Sequence, residues 1–172
     1  MKQQPNSRNK LLMLYLLHKI DTRLSETQLL RIISDNDWMN YFDYELTLKA
    51  LEDNHMIDAD PSINGIFYTI TDIGRQTLSY FEKELPYSLR EAVAGYCVAH
   101  KEELILEARL FGESLRLSDN EYLVRLRILE KNATVFELSL IAGSKEEAAH
   151  YVENWKHRAQ DIFKMSYEML IK

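Results

Sequence analysis

The chain has 172 residues, 46% apolar and 28% charged, and its 21 basic and 27 acidic side chains leave a net charge of −6. That is enough chain for one large or two small domains with real cores, and the acidity argues against a nonspecific nucleic-acid coat while leaving room for a sequence-specific binder with a local basic face. The longest apolar run, Leu11–Leu17, is too short to span a bilayer, the N-terminal MKQQPNSRNK has no apolar signal core and the single Cys97 permits no internal disulfide, so a cytoplasmic protein with no membrane role is expected.

Five Gly and three Pro supply few turns and favour helix. Residues 9–20, NKLLMLYLLHKI, are apolar on nearly every side of a helix, as expected for one buried at the centre of a small domain. Ser25-Glu26-Thr27-Gln28 is a capping-box pattern opening a second helix, with Leu29, Leu30, Ile32 and Ile33 as its apolar positions and Asp35-Asn36-Asp37 at its end. Trp38 to Phe42 reads as a short aromatic linker. Asp43 is the expected N-cap of a third helix over about 44–55, with Tyr44, Leu48, Leu51 and His55 facing inward. Met56-Ile57 reads as a short strand, residues 60–65 as a turn with the hairpin signal Asn64-Gly65, and Phe67–Thr71 as the returning strand, with Tyr68 and Ile70 inward. Thr71 then caps a fourth helix over about 72–85 with no intervening loop, and Pro86 stops it. Gly74 occupies the third helical position, where a capping box has Glu or Gln. The missing side chain lets the helix start lie against another backbone, which offsets a helix penalty of roughly 1 kcal/mol.

Pro86 marks the expected boundary between a first domain, 1–86, and a second, 87–172. Ser88-Leu89-Arg90-Glu91 suggests a second capping box and a helix to about Lys101. Residues 103–117 suggest one bulged strand or two short ones around Gly112. Tyr122–Glu130 alternates, with Tyr122, Val124, Leu126 and Ile128 on one side and Arg125 and Arg127 on the other. Lys131-Asn132 turns the chain into a second alternating strand, Thr134–Ile141, with Phe136, Leu138 and Leu140 inward. Ser144-Lys145-Glu146-Glu147 opens a long helix to about Ile171, with Val152, Trp155, Ala159, Ile162 and Met169 as its stripe. The expected class is α+β: three helices, a β-hairpin and a further helix, followed by helix, antiparallel sheet and long helix.

The run Tyr68-x-Ile70-Thr71-x-x-Gly74-x-x-x-Leu78 resembles the wing exit of the PadR and MarR groups of bacterial winged-helix regulators. Over nearly its whole length the chain resembles the bacterial domain-of-unknown-function family numbered 4364. The residues that carry this are LLMLYLLHKID, NYF before the third helix, YTITDIGRQTLSYFE, and the late ENWKHRAQDIF. The resemblance implies a PadR-like winged helix joined to a small α/β C-terminal part, and it assigns no chemistry.

In a winged helix the third helix enters the major groove. Its outward residues are expected to be Glu45, Thr47 and Lys49, with Tyr41 and Tyr44 near its start, Asn64 at the wing tip, Lys2, Arg8 and Lys10 in a basic N-terminal tail, and Arg31 on the second helix. Against this stand Asp43, Glu45, Glu52 and Asp53, four carboxylates with only Lys49 opposite them on one helix. The long C-terminal helix leaves Tyr151, Trp155, Phe163, Tyr167 and Leu170 as a surface for a homodimer, although packing on the sheet is the more ordinary use of Trp155 and of most of the stripe from Val152 to Met169. His150 and His157 read as exposed polar residues rather than a metal site, Cys97 as a buried inert thiol, and Arg125 and Arg127 as a solvated sheet face. No phosphate loop, nucleophile elbow or His-Glu-x-x-His is present, so neither an enzyme nor a cofactor is expected. The expected function is that of a dimeric transcriptional regulator on double-stranded DNA, its C-terminal part sensing an effector or partner. The alternative is a protein-interaction adaptor whose acidic third helix contacts another protein.

Overall fold

The computed structural model describes residues 6–131 and 133–172. Among them the elements run α1 (Ser7–Ile20), β1 (Leu24–Ser25), α2 (Glu26–Asp35), α3 (Tyr41–Asp53), β2 (Ile57–Ser62), β3 (Gly65–Ile70) and α4 (Asp72–Phe81). A 3-10 turn (Glu82–Glu84) leads on to α5 (Tyr87–Arg109), β4 (Leu110–Ser118), β5 (Glu121–Glu130), β6 (Ala133–Ala142) and α6 (Lys145–Ile171). The class is α+β, with two antiparallel three-stranded sheets ordered β1-β3-β2 and β4-β5-β6. No helix among the described residues is long and apolar enough to cross a membrane.

The chain divides into two compact units between Ala108 and Arg109. This lies beyond the boundary expected at Pro86. The difference lies in α5, which sends Val93, Cys97 and Leu104 into the same core as α1 and so joins the first unit. It also runs on to Arg109, where a strand had been expected. Its start is held by Pro86, whose carbonyl accepts from Leu89 and Arg90 N–H at 3.1 Å each, rather than by a Ser88 cap.

In the first unit α1 is the centre. Leu11 to Leu17 and Ile20 are all buried, so the all-round apolar pattern is what a helix enclosed by other elements requires. α2 opens with the reciprocal capping box read from sequence. Gln28 N–H donates to Ser25 Oγ at 3.1 Å, and Ser25 N–H donates to Gln28 Oε1 at 3.0 Å. α3 begins earlier than expected. Asn40, not Asp43, is its N-cap. Asn40 Oδ1 accepts from Asp43 N–H and Asn40 Nδ2 donates to Asp43 Oδ2, both at 2.9 Å. Asp43 thus serves from the third helical position, and Tyr41 and Phe42 lie in the first helical turn rather than in a linker. His55, expected inward, is exposed at φ 55°, just past the helix end.

β2 is longer than the Met56-Ile57 expectation and runs through Pro61, which the ladder tolerates because β2 is an edge strand. Ile63 and Asn64 form the hairpin tip, and Gly65 at φ 123° adopts backbone geometry that a side chain disfavours. β3 is the central strand, paired on its other side with the two-residue β1. It passes directly into α4. Thr71 Oγ1 accepts from Gly74 N–H at 3.1 Å and donates to the His55 carbonyl at 2.7 Å, while Thr71 N–H donates to the Met56 carbonyl at 3.1 Å. A Cβ on Gly74 would overlap that same Met56 oxygen and stand 2.9 Å from Ile70 Cγ1. The close backbone approach inferred from sequence is therefore present. α4 ends four residues before the expected Leu85.

In the second unit one face of the sheet receives α6. Val124, Leu126, Ile128, Trp155 and Ala159 are its buried centre, with Phe136, Leu138 and Leu140 half-buried beside them. Ser144 caps α6 by accepting from Glu147 N–H at 3.1 Å. The expected stripe ends early, since Met169 is 75% exposed. The expected turn at Lys131-Asn132 includes Asn132, which lies outside the described residues; Lys131 has φ 49°.

Candidate functional site

α3 has one face fixed by the core. Tyr44, Thr47, Leu48 and Leu51 are buried on it, and Tyr44 Oη donates to the Glu26 carbonyl at 3.3 Å. Burial, then the nearby Glu26 carboxylate, pushes the Tyr44 phenol above its ordinary range. Two expected DNA contacts are corrected here. Tyr44 is in the core. Thr47, three residues after Tyr44 and four before Leu51, falls on the same stripe and is fully buried.

The opposite face carries Tyr41, Glu45 and Lys49, all exposed, together with Phe42 at 79% exposure. Phe42 is the residue sequence reasoning missed, because it had been assigned to a linker; an aromatic pair directly after an Asn that can cap was the available signal. Glu45 raises the Tyr41 phenol pKa, chiefly through its charge. Burial and the Glu52 carboxylate push Tyr68 up to about 12. The acidic character read from sequence is thus present on this helix.

Two further candidates, Arg31 and Asn64, are held by other elements. Arg31 donates from both terminal nitrogens to the Glu107 carboxylate at 2.7 Å. Gln28 Nε2 donates to the same carboxylate at 3.0 Å and to the Leu104 carbonyl at 2.9 Å. A bidentate Arg–carboxylate pair backed by a buried amide is a fastening of α2 to α5, and the Glu107 contact raises the guanidinium pKa. Asn64 Nδ2 donates to the Ala108 carbonyl at 2.9 Å, which ties the hairpin tip to the end of α5. Arg8 is exposed and Lys10 is half-buried, lining with Leu11, Met56 and Phe81 a cavity of about 240 Å³. Lys2 lies outside the described residues.

On the second unit, Trp155 leaves the proposed dimer surface. It is 1% exposed, stacks on Phe136 with ring centroids 6.2 Å apart, and donates from Nε1 to the Arg127 carbonyl at 3.3 Å. Tyr151 is half-buried and donates to Glu147 Oε1 at 2.6 Å. Phe163 meets Phe136 edge-on at 5.5 Å. Tyr167 and Leu170 are exposed, as are Met165, Met169 and Ile171. On the sheet's other face Arg127 contacts Glu137 at 2.9 Å and Glu113 at 3.6 Å, over the Phe111 ring. That face is an internal ion network rather than an open anion site. Among the described residues no three His, Cys, Asp or Glu side chains converge as metal ligands.

Cys97 is buried in the first core with its thiol 4.0 Å from the Leu16 carbonyl, and burial pushes its pKa up to about 11. Little of the thiol is then thiolate at pH 8. Labelling of the native protein by an aromatic disulfide reagent should be slow, and should become fast and stoichiometric in denaturant. Rapid native labelling would contradict this burial.

The family model for a domain of unknown function, DUF4364, matches residues 9–170. No curated protein and no solved structure matches the chain.

Proposed function

The chain belongs to the DUF4364 family, and we propose that its first unit is a winged helix through which a homodimer binds double-stranded DNA as a transcriptional regulator. The observation that carries this reading is α3 itself. One side is locked into the core by Tyr44, Thr47, Leu48 and Leu51. The other offers Tyr41, Phe42, Glu45 and Lys49 to a partner, and a β-hairpin then a strand-to-helix turn at Thr71 follow in the chain. In the proposed complex α3 lies in the major groove and Glu45 accepts from a cytosine amine. Lys49, Arg8 and Lys10 meet phosphates, and two copies read half-sites about 34 Å apart. The second unit would hold the dimer together and respond to an effector or partner. The proposed location is the cytoplasm, and the proposed activity is binding rather than catalysis.

A second reading, a protein-docking adaptor, is favoured by one set of observations. Asp43, Glu45, Glu52 and Asp53 share α3 with exposed Phe42, and Arg31 is engaged by Glu107. Binding of the full chain to genomic fragments over a salt series separates the two. With three phosphate-directed cations per protomer, log K should fall against log salt with a slope of about −3 per protomer, on a selected subset of fragments. Absence of retention even at low salt would leave the adaptor. Lys49→Glu should abolish retention without changing the fold.

A further inference from the structure

α6 covers its sheet unevenly. It packs on β4 and β5 more than on β6, and the inward side chains of β6 stay half-exposed. A groove of about 290 Å³ runs there, bounded by Leu138 and Leu140 on the strand and by Trp155, Arg158 and Ile162 on the helix. It continues, through Arg158 and Ile162, into a second groove of about 580 Å³ along α6 that Asp161, Lys164, Met165 and Glu168 complete. Met165, which lines it, is 61% exposed. This is an apolar seam flanked by charge, on a helix face other than the one carrying Phe163, Tyr167 and Leu170.

The charges along this face alternate in sign: Arg158, Asp161, Lys164, Glu168. Read backwards the order is acid, base, acid, base, so the face complements itself when a second helix is laid against it in the opposite direction. A two-fold axis near residue 163 sets Arg158 against Glu168 of a second copy and Asp161 against its Lys164, while Ile162 and Met165 meet between them. A parallel arrangement in register sets like charges together. Within one chain the alternative partner is weak, because Arg158 reaches Asp161 only at 3.8 Å with both side chains largely exposed. We propose that this face of α6 is the homodimer interface, antiparallel and two-fold, with the groove above Leu138 and Leu140 receiving apolar side chains from the second copy. The proposal rests on the homodimer reading above and is independent of DNA.

Analytical ultracentrifugation of the full chain tests it through charge reversal. The unaltered protein should form a reversible dimer. Arg158→Glu and Glu168→Arg, each exposed and thus neutral to the fold by circular dichroism, should each weaken dimerisation by roughly tenfold or more, since the two-fold repeats every clash. The double reversal should restore it to within about threefold. Dimers unaffected by either reversal, or weakened by both without rescue in the double variant, would overturn the interface and leave the homodimer standing. A monomer at about 100 μM would overturn both, with the DNA reading still open to its own test.

Discussion

Replacing Gly74 with alanine should destabilise the first unit by about 2 kcal/mol net, although alanine is the better helix former by roughly 1 kcal/mol. The new methyl group would collide with the Met56 carbonyl oxygen, and would stand 2.9 Å from Ile70 Cγ1 and 3.1 Å from Leu14 Cδ2. None of these yields cheaply. The Met56 oxygen is backbone and accepts the Thr71 N–H that joins β3 to α4. Leu14 is fully buried on the central helix. Relief requires α4 to move off the hairpin, which loses the Thr71–Met56 hydrogen bond, worth about 1 kcal/mol, on top of an overpacking cost of about 1–3 kcal/mol. Urea unfolding followed by fluorescence reads it in the first unit, because Trp38 packs against that core; a Trp155→Phe background silences the second unit. The control is Gly95→Ala on α5, where a Cβ meets nothing within 4 Å. That change should be neutral or stabilising by up to about 1 kcal/mol. If the two substitutions behave alike, the close approach of α4 to the hairpin is not what fixes Gly74.

The features legible in the sequence were local ones. A helix enclosed on all sides must be apolar all round, and α1 is so from Leu11 to Leu17. A capping box needs residues only three apart, so Ser25 and Gln28 could be paired on sight. Alternation in β5 and β6 follows from the pleat, and Gly74 announced a steric constraint by breaking a helix preference. What escaped the sequence had one of two origins. In the first, two local solutions competed. Asn40 and Asp43 are both good caps three residues apart, and the actual helix uses the first as cap and the second as its partner. With Asp43 as cap Phe42 would fall in a linker; with Asn40 as cap it lies on the exposed face of α3. Residues 103–109, rich in Leu and Glu, likewise fit both a helix continuing from α5 and the approach to a strand, and the chain takes the helix. In the second, the partner was distant. Glu107 lies 76 residues from Arg31, and Ala108 lies 44 from Asn64. Nothing near Arg31 or Asn64 reveals that each is already engaged, so both looked available to DNA. The candidate site was therefore less legible than the fold, since exposure of a polar side chain depends on who else reaches it.

Trp155→Ala should unfold the second unit rather than separate two copies of it. Trp155 is the largest side chain buried there, with its ring parallel to Phe136 to within 14°. Its indole N–H supplies the Arg127 carbonyl. Removing a buried tryptophan costs about 3–5 kcal/mol through lost transfer energy and the cavity left behind. A unit that begins only at Arg109 has little surplus stability to absorb such a loss. Hydrogen exchange of peptides from β5 and β6 gives the local reading, with protection expected to fall by roughly a hundredfold or more. Exchange in α1 should change far less, because Trp155 has no place in the core built around that helix. The charge reversals at Arg158 and Glu168 should do the converse, weakening association while leaving β5 and β6 protected. If Trp155→Ala instead separated dimers and left strand protection intact, Trp155 would be a contact between copies. The inner face of the sheet would then need a different occupant from the chain's own helix.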